Sequence, residues 1–129
     1  IYRSPDFIPH LTIASGNRPY RFHPFERLFL SLLPVQTEAK ERRALYYPIV
    51  ASPALLAIQR YYASETHNYF PHLSLIYGHF SVGRRNTWKE KCPSYTEMIP
   101  FSRLCLVKGG EEVKNWAILK TWNLTDNQR

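Results

Sequence analysis

A short internal repeat constrains this chain more than any other feature of its sequence. Residues 8–16 read I-P-H-L-T-I-A-S-G, and residues 70–78 read F-P-H-L-S-L-I-Y-G. Proline, histidine, leucine and the closing glycine are identical, and threonine in the first copy corresponds to serine in the second. A proline at the start, a middle rich in β-favouring residues and a glycine at the end are typical of a strand. The repeat therefore predicts two similar β-strands.

Both strands are expected to carry their polar residues on one face. Successive side chains of a strand point to opposite faces, so His10 and Thr12 share a face while Leu11 lies on the other. His72 and Ser74 share a face of the second strand in the same way. Each copy thus presents an imidazole and a hydroxyl on one face and apolar side chains on the opposite one.

The rest of the chain predicts a single α+β domain over residues 1–129. A chain of 129 residues that is 44% hydrophobic and 15% aromatic is able to form one core and is not disordered. Residues 81–91 are basic and fit either a helix or a loop, and Gly109 and Gly110 favour a hairpin-like connection. Further strands are predicted over residues 27–33, 43–51, 103–108 and 116–122.

A helix is predicted to begin at Ser52 and Pro53, because serine is a preferred N-cap and proline fits the first helical position. The helix runs to about residue 64, where the helical pattern ends. Its apolar residues recur at helical spacing and form one face. That face carries Leu55, Ile58 and Tyr62.

The charge balance favours a phosphate-bearing partner. Lysine and arginine number 17 against 10 acidic residues, which gives a formal net charge of +7, and arginine predominates. Because arginine forms bidentate contacts with phosphate oxygens, a nucleotide, an RNA end or an anionic surface is favoured. Ordinary solubility charge explains the same balance equally well.

Compartment and assembly are predicted from what the sequence lacks. No apolar run approaches the ~20 residues that a membrane-spanning helix needs, and no signal peptide opens the sequence. Cys92 and Cys105 make neither a disulfide framework nor a C-x-x-C metal pair, which favours a reducing compartment. We therefore expect a cytoplasmic monomer without a membrane span.

Two histidines beside two hydroxyl residues predict acid–base chemistry on a phosphodiester. Imidazole titrates near pH ~6.5, so one histidine can take a proton from water while the other gives one to a leaving oxygen. Hydroxyl groups can donate hydrogen bonds to two non-bridging phosphate oxygens. If the two strands lie side by side, this chemistry needs no metal, no cofactor and no covalent intermediate. The residues expected to perform it are His10, His72, Thr12 and Ser74.

Other kinds of site fit the sequence less well. A zinc site needs three or four ligands, whereas each repeat copy supplies one histidine, and His23, His67 and His79 fall at no recognisable ligand spacing. A Ser-His-Asp triad would need a nucleophile turn such as G-x-S-x-G, which the sequence lacks. His23 is predicted to be structural, and His79 to lie at the surface. A basic RNA-binding module is a further alternative, and it predicts binding without turnover.

The two motifs resemble the signature of the 2H phosphoesterase superfamily, which is two copies of H-h-[ST]-h, where h is hydrophobic. P-H-L-T-I and P-H-L-S-L-I-Y-G carry this resemblance. The second motif is similar to that of the fungal and plant cyclic nucleotide phosphodiesterases, which act in tRNA-splicing metabolism. Residues 113–124 resemble the last strand of that group. The resemblance is strong at the motifs and loose over the rest of the chain.

The resemblance implies a bilobal α+β fold with antiparallel sheets and helices around a central cleft. It implies His72 as the base and His10 as the acid, with Thr12 and Ser74 holding the phosphate. Tyr77 would line the nucleotide pocket, although strand alternation places it opposite His72 unless the strand bends. Family members have a strand and a helix before the first motif, so both are expected to be missing from residues 1–129.

The substrates that the resemblance implies are 2′,3′-cyclic nucleotides and ADP-ribose 1″,2″-cyclic phosphate. Water would open these cyclic phosphates without a metal or a cofactor. The same four residues also fit a second enzyme class of the superfamily, which cleaves 2′,5′-oligoadenylate or RNA ends. Turnover of a cyclic nucleotide, compared with that of a 2′,5′-linked oligomer, separates the two classes.

Overall fold

A computed structural model describes residues 10–15, 20–38, 43–63, 68–108 and 117–125. Within these ranges the chain forms two helices and six short strands. In chain order they are β1 (Leu28–Leu30), β2 (Arg43–Pro48), α1 (Pro53–Tyr62), β3 (His72–Tyr77), α2 (Val82–Lys91), β4 (Ile99–Phe101), β5 (Arg103–Lys108) and β6 (Ala117–Asn123). The strands pair as three two-stranded antiparallel sheets, β1–β4, β2–β3 and β5–β6. These elements establish the α+β class that the sequence predicts, but not the two lobes that the resemblance implies.

The β2–β3 pair is the centre of the structure. Tyr46 of β2 lies opposite Ser74 of β3, and Pro48 lies opposite His72. Two isolated antiparallel bridges extend this pair, one at each edge: Leu11 pairs with Leu73 of β3, and Gln36 pairs with Tyr46 of β2. The segment around Gln36, β2, β3 and the segment around Leu11 therefore lie side by side.

The first repeat copy does not form the full strand that the sequence predicts. In the described residues 10–15, Leu11 makes one bridge and no named strand is present. The carbonyl oxygen of Thr12 accepts a hydrogen bond of 2.8 Å from the Tyr69 hydroxyl. In a longer β-ladder, a backbone N–H of the neighbouring strand would donate to this carbonyl oxygen. Here the Tyr69 hydroxyl donates to it instead. The prediction of a complete strand is wrong, and Pro9 and Gly16 lie outside the described residues.

Helix α1 begins and packs as the sequence predicts. The Ser52 side chain accepts a hydrogen bond of 3.2 Å from the backbone N–H of Leu55, and Pro53 occupies the first turn. The helix ends at Tyr62, two residues before the predicted limit. Its buried face carries Leu55, Ile58, Gln59 and Tyr62. The predicted apolar face is confirmed.

Residues 81–91, for which the sequence fits either a helix or a loop, form helix α2 with its N-cap. Ser81 caps the helix by accepting a hydrogen bond of 3.2 Å from the N–H of Arg84. Trp88 is the one buried residue of the helix, and its ring packs edge-on against Phe80 with centroids 4.9 Å apart. Because a single aromatic anchors it, α2 has no apolar stripe that periodicity could detect.

Strands β5 and β6 form the antiparallel pair that the sequence predicts. Leu104 lies opposite Trp122 and Cys105 opposite Thr121, and the register shifts between Leu106 and Val107. The predicted connection through Gly109 and Gly110, and the predicted strand start at residue 116, lie outside the described residues.

The core lies where β1, β2, α1 and β3 meet. Leu30, Leu45 and Leu55 are fully buried there. Leu11 and Leu73, the bridged pair of the repeat, pack against this cluster from its margin. Over the described part of the chain, each helix is too short or too polar to cross a bilayer.

Candidate active site

The two repeat copies meet at one backbone pairing. Leu73 belongs to β3, and Leu11 joins the edge of β3 away from β2 in an antiparallel bridge. Both leucines pack against the core cluster, so their side chains fix which way each segment faces. The bridge therefore sets the register of the two motifs, and the two leucines set which side of each motif is turned toward the core.

All four predicted catalytic residues lie on the same face of this pairing. In an antiparallel register that puts Leu11 opposite Leu73, His10 lies opposite Ser74 and Thr12 lies opposite His72. Directly opposed residues project to the same face, and neighbouring strands are about 4.8 Å apart. The register of the bridge thus places each histidine opposite a hydroxyl residue.

The His72 ring is oriented by its own backbone. Its Nδ1 atom lies 2.8 Å from the carbonyl oxygen of Phe70. A carbonyl can only accept a hydrogen bond, so Nδ1 carries the proton in this contact. When the imidazole is neutral, the lone pair then lies on the remaining ring nitrogen, Nε2.

Two aromatic rings flank His72. Phe70 stacks on the imidazole with centroids 5.2 Å apart and an interplanar angle of 23°. Tyr46 packs against it edge-to-face, with centroids 5.8 Å apart at 77°. Phe70 is 43% exposed and Tyr46 is 7% exposed. His72 therefore lies between one ring that faces solvent and one that belongs to the interior.

The two hydroxyl residues differ in their access to solvent. Thr12 is exposed, whereas Ser74 is only 1% exposed. Ser74 Oγ is buried, and no hydrogen-bond partner for it is found in the described part of the chain. Strand alternation predicts equal solvent access for the two hydroxyls. However, the face of β3 that carries Ser74 is covered by other parts of the protein, and Ile76 on the same face is also buried.

The first histidine lies at the closed end of this face. His10 is half-buried, and its Nε2 atom is shielded from solvent. Its opposite residue, Ser74, is shielded too. The open end of the face is formed by Thr12 and Phe70, which are both exposed.

Tyr77 is the one predicted site residue that is described only in part. Its backbone ends β3 and pairs with Arg43, and its side chain lies outside the described residues. Gly78 follows with φ of 131°, a left-handed conformation that glycine tolerates best. A Cβ atom there would come within 3.0 Å of the Phe80 ring. The chain therefore leaves the strand where the sequence places its closing glycine.

The remaining histidines lie elsewhere. His79 is exposed. His23 packs between Phe25 and Tyr61, with ring centroids 4.5 and 4.6 Å away, and its backbone N–H donates to the Tyr62 hydroxyl at 3.0 Å. His67 lies outside the described residues. Within the described ranges, no three histidine, cysteine or acidic side chains gather as a metal site would require.

The structure adds two residues that sequence analysis missed. The Tyr46 hydroxyl donates a hydrogen bond to Glu38 Oε2 at 3.3 Å, and the Tyr46 ring contacts His72. Neither residue belongs to the repeat. The register of β2 with β3 brings Tyr46 to the site, and Glu38 is linked to it by the hydrogen bond to Tyr46, so no local sequence signal could have identified them.

Tyr69 ties the first motif to the segment that precedes β3. Burial raises the pKa of Tyr69 to about 12, so its hydroxyl stays protonated at neutral pH. The protonated hydroxyl donates to the Thr12 carbonyl oxygen at 2.8 Å. This bond and the Leu11–Leu73 bridge both hold the first copy against the second.

Comparison with models of known protein families finds no match, and comparison with curated protein sequences finds none either.

Proposed function

We propose that this protein is a metal-independent cyclic phosphodiesterase that opens 2′,3′-cyclic nucleotides and ADP-ribose 1″,2″-cyclic phosphate. The observation that carries the proposal is the antiparallel Leu11–Leu73 bridge. It supports a site in which His10, Thr12, His72 and Ser74 share one face, because opposed residues of an antiparallel pair project together. The resemblance of both motifs to the 2H phosphoesterase superfamily supports the same reaction.

Thr12 and Ser74 would bind the substrate phosphate. Each hydroxyl donates a hydrogen bond to one non-bridging oxygen, and a hydrogen bond to a charged group contributes about 1.5–3 kcal/mol. Ser74 suits this role because its buried Oγ has no partner among the described residues. The side chains that shield Ser74 must shift for a phosphate oxygen to reach it.

His72 would act as the general base. The contact between its Nδ1–H and the Phe70 carbonyl leaves the Nε2 lone pair of the neutral ring to accept a proton from water. The water oxygen then bonds to phosphorus, and the bond between phosphorus and one ribose oxygen breaks. His10, protonated at the start, gives its proton to that leaving oxygen. One water is consumed, the product is a phosphomonoester, and exchange with solvent restores both histidines.

The proposal also includes features that lie beyond the described elements. Two lobes would flank a central cleft, and both copies of the repeat would lie side by side in that cleft. Tyr77 would line the nucleotide pocket, because Gly78 turns the chain at the end of β3. The phosphate-rich substrates fit the net charge of +7, and tRNA-splicing metabolism in the cytoplasm would supply them.

Incubation with a 2′,3′-cyclic nucleotide in the presence of a chelator tests the proposed function. Phosphorus NMR should show the cyclic phosphate converting to a phosphomonoester, and added zinc or magnesium should not increase the rate. His72→Ala should abolish the conversion, whereas His79→Ala, an exposed histidine outside the site, should not affect it. A 2′,5′-linked oligoadenylate serves as the second substrate. Binding without turnover of either substrate would refute the enzyme assignment and favour an RNA-binding module.

A further inference from the structure

Tyr46 is held at the site from both sides of its strand. Its backbone exchanges hydrogen bonds of 2.8 and 3.0 Å with Gln36, and on its other edge it lies opposite Ser74. The side chain of Tyr46 therefore projects to the face that carries Ser74 and His72. It is buried there, and its ring contacts the imidazole.

The ring of Tyr46 is fixed at its far end as well. Its hydroxyl donates to Glu38 Oε2 at 3.3 Å, and its edge-to-face contact with His72 has a geometry that aromatic pairs prefer. Tyr46 also packs nearly perpendicular to Phe70, with centroids 5.9 Å apart at 80°. Carboxylate, phenol and imidazole thus form a continuous chain of contacts.

The hydrogen bond at Nδ1 of His72 is a local restraint, because it goes to a carbonyl only two residues away. The Tyr46 ring adds a contact from the neighbouring strand β2. The Phe70 ring that stacks on His72 is 43% exposed, whereas the Tyr46 ring is buried. The buried Tyr46 ring is the flanking group that the fold itself holds in place.

We infer that Tyr46 is a positioning residue that holds the His72 imidazole in its reactive orientation, and that Glu38 acts on His72 through Tyr46. The inference rests on the proposed function, since that function gives the orientation of His72 its importance. Neither Tyr46 nor Glu38 exchanges a proton with the substrate. Their effect is on how often Nε2 faces the attacking water.

Matched variants separate this role from a general contribution to the fold. Tyr46→Phe keeps the ring and removes the hydroxyl, and Glu38→Ala removes the acceptor on a half-buried residue. Tyr47→Phe is the control, because Tyr47 is the next residue of β2, is 3% exposed and donates its own hydroxyl bond to the Pro93 carbonyl at 2.7 Å. Its side chain projects to the opposite face of the strand.

Two readouts on these variants test the inference. The first is the mobility of the His72 ring, measured by relaxation of its ¹³C-labelled imidazole in the folded protein; it should rise in Tyr46→Phe and Glu38→Ala and not in Tyr47→Phe. The second is turnover: kcat should fall, by up to about 100-fold, while KM stays unchanged. The double variant should lose less turnover than the product of the two single losses, because the two side chains share one hydrogen bond. An inactive wild-type protein would refute the proposed function alone, since ring mobility needs no substrate. Unchanged mobility in both site variants, or equal mobility in the control, would overturn the inference.

Discussion

Replacing Ser74 by alanine should make the protein more stable and less active. Ser74 is 1% exposed, and its shielded Oγ has no hydrogen-bond partner among the described residues. A buried polar group without a partner costs about 1–3 kcal/mol relative to its hydrated state in the unfolded chain. Ser74→Ala removes that cost and takes away a single oxygen, so the cavity it leaves is small.

The net change in the free energy of unfolding is therefore expected to be an increase of about 1 kcal/mol, after the small cavity term is subtracted. For a domain of this size, that increase raises the Tm by about 3–5 °C. The same substitution removes one donor to the substrate phosphate, so kcat/KM should fall by about 10- to 150-fold. Stability and activity would then move in opposite directions, as they do where a site is built for its ligand.

Urea unfolding followed by circular dichroism measures the first quantity, and hydrolysis of a 2′,3′-cyclic nucleotide measures the second. Thr12→Ala is the matched control, because Thr12 is exposed and its hydroxyl needs no partner inside the protein. Its unfolding free energy should change by less than about 0.5 kcal/mol, while its activity falls. Loss of stability in Ser74→Ala would refute the reasoning, since it would mean that folding satisfies the Ser74 hydroxyl.

Three further predictions follow from the site. His10→Ala and His72→Ala should each lose about 10²–10⁴-fold in turnover, while His79→Ala should retain it; a rate near that of the wild type in either site variant would remove that histidine from the mechanism. With an activated aryl phosphodiester, whose leaving oxygen needs no proton, His10→Ala should recover most of its activity and His72→Ala should not; the reverse pattern would exchange the acid and base roles. Because burial raises the pKa of Tyr69 from 10.0 to about 12, the protonated form is favoured in the folded state, so stability should decline as the pH rises from 10 to 12. Burial raises the pKa of Tyr47 and Tyr62 as well, so Tyr69→Phe should lessen this decline in alkaline urea titrations without removing it. An unaltered decline would assign all of it to other groups.

The sequence predicts helix α1 well because its signals are local. A capping serine and a proline set its start, and its apolar residues at helical spacing face the core. Strand β5, Arg103–Lys108, matches its predicted limits, and Leu104 and Leu106 are its partly buried residues. Helix α2 was left open, because Trp88 alone is buried and one residue makes no periodic pattern.

The candidate site is predicted only as far as the repeat extends. The repeat identifies His10, Thr12, His72 and Ser74 as a set, and strand alternation gives each pair a common face. The exposure of Thr12 and the burial of Ser74 could not be predicted, because they depend on what covers each segment. The contact of Tyr46 with His72 depends on pairing between β2 and β3, which a sequence without a connecting hairpin signal does not specify.

The antiparallel bridge between Leu11 and Leu73 has a consequence for the symmetry of the reaction. Two like segments paired in opposite directions are related by a local twofold axis through the bridge. Rotation about this axis exchanges His10 with His72 and Thr12 with Ser74. A cyclic phosphate also has two ester oxygens related by an approximate twofold, so these four side chains alone would accept it in either of two orientations. Thr12 is exposed and Ser74 is buried, which breaks this symmetry. The choice of which ester bond breaks, and hence of which isomer is released, would therefore come from that difference and from groups outside the four.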